Sequence, residues 1–128
     1  MSGHGSFATA INCMDGRTQI PVINWMKKAF NVDYVDSITE PGPIRILAEN
    51  KDIYALESIK KRVAVSVNKH GSKHIAIVGH YDCAGNPVDK EIQLGQIAAA
   101  IKTVKSWDYA DTFVGLWVDD TWAAEKVA

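Results

Sequence analysis

The feature that most constrains this chain is an apolar run, Ile75-Ala76-Ile77-Val78, that stops at Gly79 and is followed by His80-Tyr81-Asp82-Cys83. Uninterrupted apolar runs of this kind suit strands covered on both faces, as in a parallel sheet sandwiched by helices. A strand that ends in a histidine and a cysteine, instead of ordinary turn residues, points to a site. The only other cysteine, Cys13, follows a second apolar run, Phe7-Ala8-Thr9-Ala10-Ile11, and opens the pattern Cys13-Met14-Asp15-Gly16-Arg17.

Between and beyond these runs the chain alternates strand and helix patterns. A first strand is expected over Ser6–Asn12. Gln19–Phe30 reads as a helix with Pro21 in its first turn and Ile23, Met26 and Phe30 on one face. Val32–Ile38 alternates like a strand, and Glu40-Pro41-Gly42-Pro43 is a turn signal. Ile44–Glu49 fits one helical turn or two. Ile53–Lys69 is the clearest helix: Ile53, Leu56, Ile59, Val63 and Val67 form a stripe broken only by Lys60, and His70-Gly71 closes it. After the strand ending at His80, a loop runs to Asp89, a helix over Ile92–Trp107, a strand over Thr112–Asp119 and a short helix over Trp122–Val127. Asp119 and Asp120 read as a strand end that caps the segment after it.

Strands alternating with helices argue an α/β fold: one domain over residues 1–128, with a mostly parallel central sheet of four to five strands flanked by helices. Residues 1–5 are expected to be disordered, and His4 there reads as bland in preference to a ligand. In open α/β sheets ligands gather outside the carboxyl ends of the strands, where the strand order reverses. If the strands before Cys13 and His80 are neighbours at that point, Cys13, His80 and Cys83 converge.

Composition removes several classes of function. Net charge is −1 with 23% charged residues of interspersed sign, so there is no basic footprint for nucleic acid. No apolar run approaches the roughly 20 residues that span a membrane. The N-terminus lacks the apolar core of a signal peptide, so a cytoplasmic protein with reduced thiols is the expectation.

Two thiolates and an imidazole are ligands that zinc prefers, in tetrahedral geometry. Three protein ligands leave a fourth position. Residues two apart in an extended segment face the same way, so Asp15 can point with Cys13, and Arg17 can hold the Asp15 carboxylate in a bidentate pair. Held so, Asp15 stays off the metal and water takes the fourth position; released, Asp15 is itself the fourth ligand. Zinc lowers the pKa of its water to about 7 in favourable sites, giving hydroxide for attack on small electrophiles.

Cys13-x-Asp15-x-Arg17 with Gly79-His80-x-x-Cys83 resembles the signature of the beta-class carbonic anhydrases. The resemblance implies that Cys13, His80 and Cys83 bind zinc and that Asp15 and Arg17 gate the fourth position. It implies a sheet ordered second, first, third, fourth strand, reversible hydration of carbon dioxide to bicarbonate by zinc-bound hydroxide, and a homodimer or higher homo-oligomer. Related enzymes of that fold hydrolyse carbon disulfide or carbonyl sulfide, and a catalytically silent zinc protein is a third reading. There are departures. Gly16 stands where the family usually has serine, Ala84 precedes Gly85 where glycine often comes directly after the cysteine, and Thr39-Glu40-Pro41-Gly42 keeps only the glycine of the family's Arg-Asn-x-Gly. Only twelve residues precede Cys13, where the family has N-terminal helices that line the substrate pocket, and slow hydration is the expectation from that.

The bland alternatives are two buried core thiols or a disulfide for Cys13 and Cys83, a satisfied core histidine for His80, and a surface ion pair for Asp15 and Arg17. Asp82 reads as a solvated loop residue that can still approach an incoming ligand, and His70 and His74 as structural or solvent-facing. The four tryptophans, Trp25, Trp107, Trp117 and Trp122, read as core or interface residues and favour a buried dimer contact.

Overall fold

The computed structural model describes residues 5–128, so His4 and most of the stretch expected to be disordered lie outside the described residues. Along the chain come β1 (Phe7–Cys13), α1 (Gln19–Phe30), β2 (Tyr34–Glu40), α2 (Pro43–Glu49), α3 (Ile53–His70), β3 (His74–His80), α4 (Lys90–Lys105), β4 (Thr112–Val118) and β5 (Ala124–Lys126). They build one sheet in the order β2-β1-β3-β4-β5, parallel except for β5, which runs antiparallel to β4.

Each central strand alternates between two cores, which is why its sequence is apolar throughout. Ile11, Ile75 and Ile77 pack with α2, α3 and α4 through Leu47, Ile59, Val63 and Ile97. Ala8, Ala10, Ala76 and Val78 face the other way, onto Val22 and Met26 of α1. Alanines on that face let α1 lie close to the sheet. Two N-caps set helix starts: Asp52 accepts from the Ala55 N–H and Asp89 from the Ile92 N–H. The second of these starts α4 at Lys90, two residues before the expected Ile92.

Three expectations are corrected. Ile53 is no part of the buried stripe of α3: it is the first residue of the helix and is 65% exposed. The buried position is taken by Ser66, whose hydroxyl bonds Thr9 Oγ1 at 2.6 Å and Asp36 Oδ2 at 2.7 Å. β2 lies two residues later than expected. The terminal segment is the strand β5, where a helix was expected, because Asp119 gathers the N–H groups of Thr121 and Ala123 into a turn and Trp122 takes a left-handed φ of 61°. The chain then returns along β4 and covers its edge. Trp117 is buried, whereas Trp25, Trp107 and Trp122 are half-buried.

β1 and β3 stay in register only from Thr9 to Ile11 against Ile75 to Ile77. β1 continues alongside β2 as far as Cys13 and Glu40, and β3 alongside β4 as far as His80 and Val118. The two middle strands therefore part before they end. This fork is the point where the strand order reverses, and it is where ligands collect in such sheets.

Candidate metal centre

Cys13 ends β1, His80 ends β3, and Cys83 sits in the next loop. Their ligand atoms all lie within 4.8 Å of one another, and all three residues are buried. The two sulfurs are 3.9 Å apart and the cysteines are free. Two sulfurs each about 2.3 Å from a tetrahedral zinc stand about 3.8 Å apart, so the spacing suits a metal and is far too long for a disulfide. His80 Nδ1 donates to the Tyr81 carbonyl at 2.7 Å. That fixes the tautomer with a bare Nε2, and Nε2 is buried with no hydrogen-bond partner among the described residues. A buried, unpaired acceptor costs stability unless something fills it. The donor set and the orphaned nitrogen both fit zinc.

The thiol pair is biased toward releasing one proton, from Cys13. Cys83, donating to it, holds Cys13 well below the ordinary thiol range against the opposing effect of burial, and the neighbouring His80 ring and then the N–H groups of Gly42 and Asp15 add to this. Cys83 is pushed up, first by its bond to Cys13 and then by burial. Gly42 can serve Cys13 because it has no side chain: its φ is +62°, and a Cβ there would sit 2.7 Å from Asn86 Cβ.

The Asp15 carboxylate stands outside the ligand cluster and belongs to Arg17. Nε and Nη2 donate to Oδ1 and Oδ2 at 3.1 and 2.7 Å, and the Arg17 backbone N–H adds a bond at 2.9 Å. The Arg17 hydrogen bonds hold the Asp15 carboxyl at about 2, below the usual carboxylate range. Thr18 and Gln19, at the start of α1, secure the loop: Thr18 Oγ1 donates to the Asp15 carbonyl at 2.8 Å, and Gln19 Nε2 to the Cys13 carbonyl at 2.8 Å. Asp82, expected as a solvated loop residue, also reaches Arg17, with its carboxylate 3.4 Å from Nη1. His70 bonds Asp36 at 2.7 Å and His74 stacks on Phe30, so both are structural.

Sequence reasoning missed Gln93. It is buried on α4, and its Oε1 accepts from the His80 N–H at 3.1 Å while its Nε2 donates to the His80 carbonyl at 2.8 Å. The reason lies in the fork. Tyr81 N–H bonds Val118 on the β4 side, so the polar groups of His80 itself face the side that β1 has left. The Gln93 amide replaces the missing strand. Gly79 makes room, because a Cβ there would lie 2.9 Å from Gln93 Oε1. Glutamine within a helix gives no sequence signal for this; a glycine directly before the histidine is the only hint.

A five-stranded, mostly parallel α/β sheet with this crevice has the fold of the beta-carbonic anhydrases. The beta-carbonic anhydrase isoform I of Trichomonas vaginalis superposes with a TM-score of 0.57 at 18% identity, over 93% of this chain and 80% of that one. An apo carbon disulfide hydrolase superposes with a TM-score of 0.50 at 13% identity, over 93% and 77%. Among curated protein sequences none is similar enough to match. The chain belongs to the family described as "Putative carbonic anhydrase", whose model matches residues 3–128.

Proposed function

We propose that the protein is a zinc-dependent lyase of the carbonic anhydrase type, interconverting carbon dioxide and bicarbonate. The observation that carries this reading is the buried Cys13–His80–Cys83 cluster, with His80 Nε2 lacking a partner, beside an Asp15 that Arg17 holds away. Cys13, His80 and Cys83 would hold the ion. Bound there, zinc supplies Lewis acidity that makes hydroxide available near neutral pH. Asp15, ionised and anchored by Arg17, would accept a hydrogen bond from the attacking hydroxyl and so turn its lone pair toward the substrate carbon. Arg17 serves by occupying Asp15, so that the carboxylate does not compete for the ion.

Free thiols suit a reducing setting, and a cytoplasmic location goes with this reading. Among the described residues no helix is long and apolar enough to cross a membrane. A homodimer goes with this reading, and Met14 and Tyr81, each next to a site residue in sequence, are 63% and 50% exposed. The test is stopped-flow hydration of carbon dioxide on protein of measured zinc content, with carbon disulfide hydrolysis run in parallel. Zinc-dependent hydration supports the proposal. Hydrolysis of carbon disulfide alone would move the substrate to the sulfur analogue, and zinc with neither activity would leave a silent zinc protein.

A further inference from the structure

The Arg17 guanidinium is covered on a further side by an element more than a hundred residues along the chain. Its Cζ lies 4.2 Å from the centre of the Trp122 ring. Its Nη2 also donates to the Asp82 carbonyl at 3.2 Å, from a residue held at φ 57°. Trp122 belongs to the turn between β4 and β5, and that turn is built to present it. Asp119 Oδ1 accepts from the Thr121 N–H, the Thr121 hydroxyl and the Ala123 N–H at 2.9, 2.7 and 3.1 Å. The Trp122 N–H donates to the Asp119 carbonyl at 3.0 Å. A bulky residue adopts a left-handed backbone only where its surroundings impose it. Tyr81, next to His80, meets the Trp122 ring edge-on at 6.3 Å between centroids.

The Arg17 side chain is 45% exposed. Ion pairs at such exposure hold a long side chain weakly, and Asp15 and Asp82 pull on it from two sides. An aromatic face adds what the carboxylates lack: it fixes the plane of the guanidinium, so the Nε and Nη2 edge stays aligned with both oxygens of Asp15. We propose that Trp122 is a positioning residue: by stacking on Arg17 it keeps Asp15 engaged and leaves the fourth coordination position of the Cys13–His80–Cys83 site open to an external ligand. This rests on reading the three residues as a metal site.

The probe is the cobalt-substituted protein titrated with thiocyanate and followed by visible absorption, which reads anion entry independently of turnover. Trp122→Ala should weaken thiocyanate binding about threefold to fivefold, the size of a partly exposed cation–π contact, because Asp15 then competes for the position. Trp122→Leu, which keeps apolar cover in the turn, should do the same if the alanine variant fails to fold. Trp122→Phe keeps an aromatic face and should stay within about twofold. In an Asp15→Asn background, Trp122→Leu should have no effect. Wild-type affinity in Trp122→Leu, or an equal loss in the Asp15→Asn background, overturns the proposal by making the tryptophan irrelevant or merely structural. In both of those cases an intact thiolate-to-cobalt absorption band leaves the metal-site reading standing; absence of that band in the wild type overturns both.

Discussion

Replacing Gln93 by methionine keeps the length of the side chain and removes its amide. The change strips the His80 N–H of its acceptor at 3.1 Å and the His80 carbonyl of its donor at 2.8 Å, and the Val88 carbonyl of a longer bond at 3.3 Å. Gln93 is 1% exposed, so water does not replace the amide without a rearrangement of α4. Each buried backbone group left unpaired costs about 1–3 kcal/mol, and the extra apolar burial of methionine returns about 1 kcal/mol. The net loss should be about 3 kcal/mol, or a fall of about 10 °C in Tm for a chain of this size. Because the bonds lost are those of a ligand's own backbone, zinc affinity should fall about tenfold to a hundredfold, as for other partners of metal ligands. Urea unfolding of the metal-free protein gives the first quantity, and competition with a chromophoric chelator gives the second. Stability within about 0.5 kcal/mol of wild type, or unchanged zinc affinity, would refute the view that Gln93 stands in for the strand β1 does not provide.

Four further outcomes are expected. The protein should carry one zinc per chain, and Cys13→Ser or His80→Ala should release it, as read by elemental analysis of the purified variants. Asp15→Asn should retain zinc and lose hydration activity by about a hundredfold; full activity in that variant would remove the orienting role of the carboxylate. Gly42→Ala places a side chain in a left-handed backbone and against Asn86, and should cost about 2–3 kcal/mol in chemical denaturation while lowering zinc retention. His74 stacks on Phe30 at 4.4 Å, and burial first and Lys73 second depress its pKa below 6.5, with Asp111 opposing. The unfolded chain therefore binds more protons than the folded one below that value, so this contribution is complete at higher pH and is lost on acidification through 6.5. His74→Phe should flatten the dependence of stability on pH between acid and neutral, and an unchanged slope would assign the dependence elsewhere.

The parts of the fold legible in the sequence were those written in apolar runs. Ile75–Val78 and Phe7–Ile11 are apolar because both faces of a central strand are covered, and the helices between them carry clear stripes. β5 was not legible, since Ala124-Glu125-Lys126 is a short edge strand with no apolar signal; its form results from Asp119 closing the turn and Trp122 leaving the helical region. The convergence of Cys13, His80 and Cys83 was legible because it needs only strand ends and strand order. Gln93 and Trp122 were not, because each acts on a residue whose location depends on how two separate elements fold back: α4 onto the fork, and the last hairpin onto the loop after β1.

The brevity of the β1–β3 ladder, three residue pairs, has a consequence for chain topology. Cys13 and Cys83 lie 70 residues apart along the chain, on opposite sides of the seam where the two halves of the sheet diverge. An ion gripping both closes that whole stretch into a ring. By the entropy estimate for a cross-link of this span, such closure removes about 4 kcal/mol of freedom from the unfolded chain whenever the ion stays attached to it. Bound there, an ion would act as a rivet as well as a reagent: pulling it should loosen the seam first, and amide exchange should quicken at Asn12, Cys13 and His80 before it does in the paired middle of the sheet.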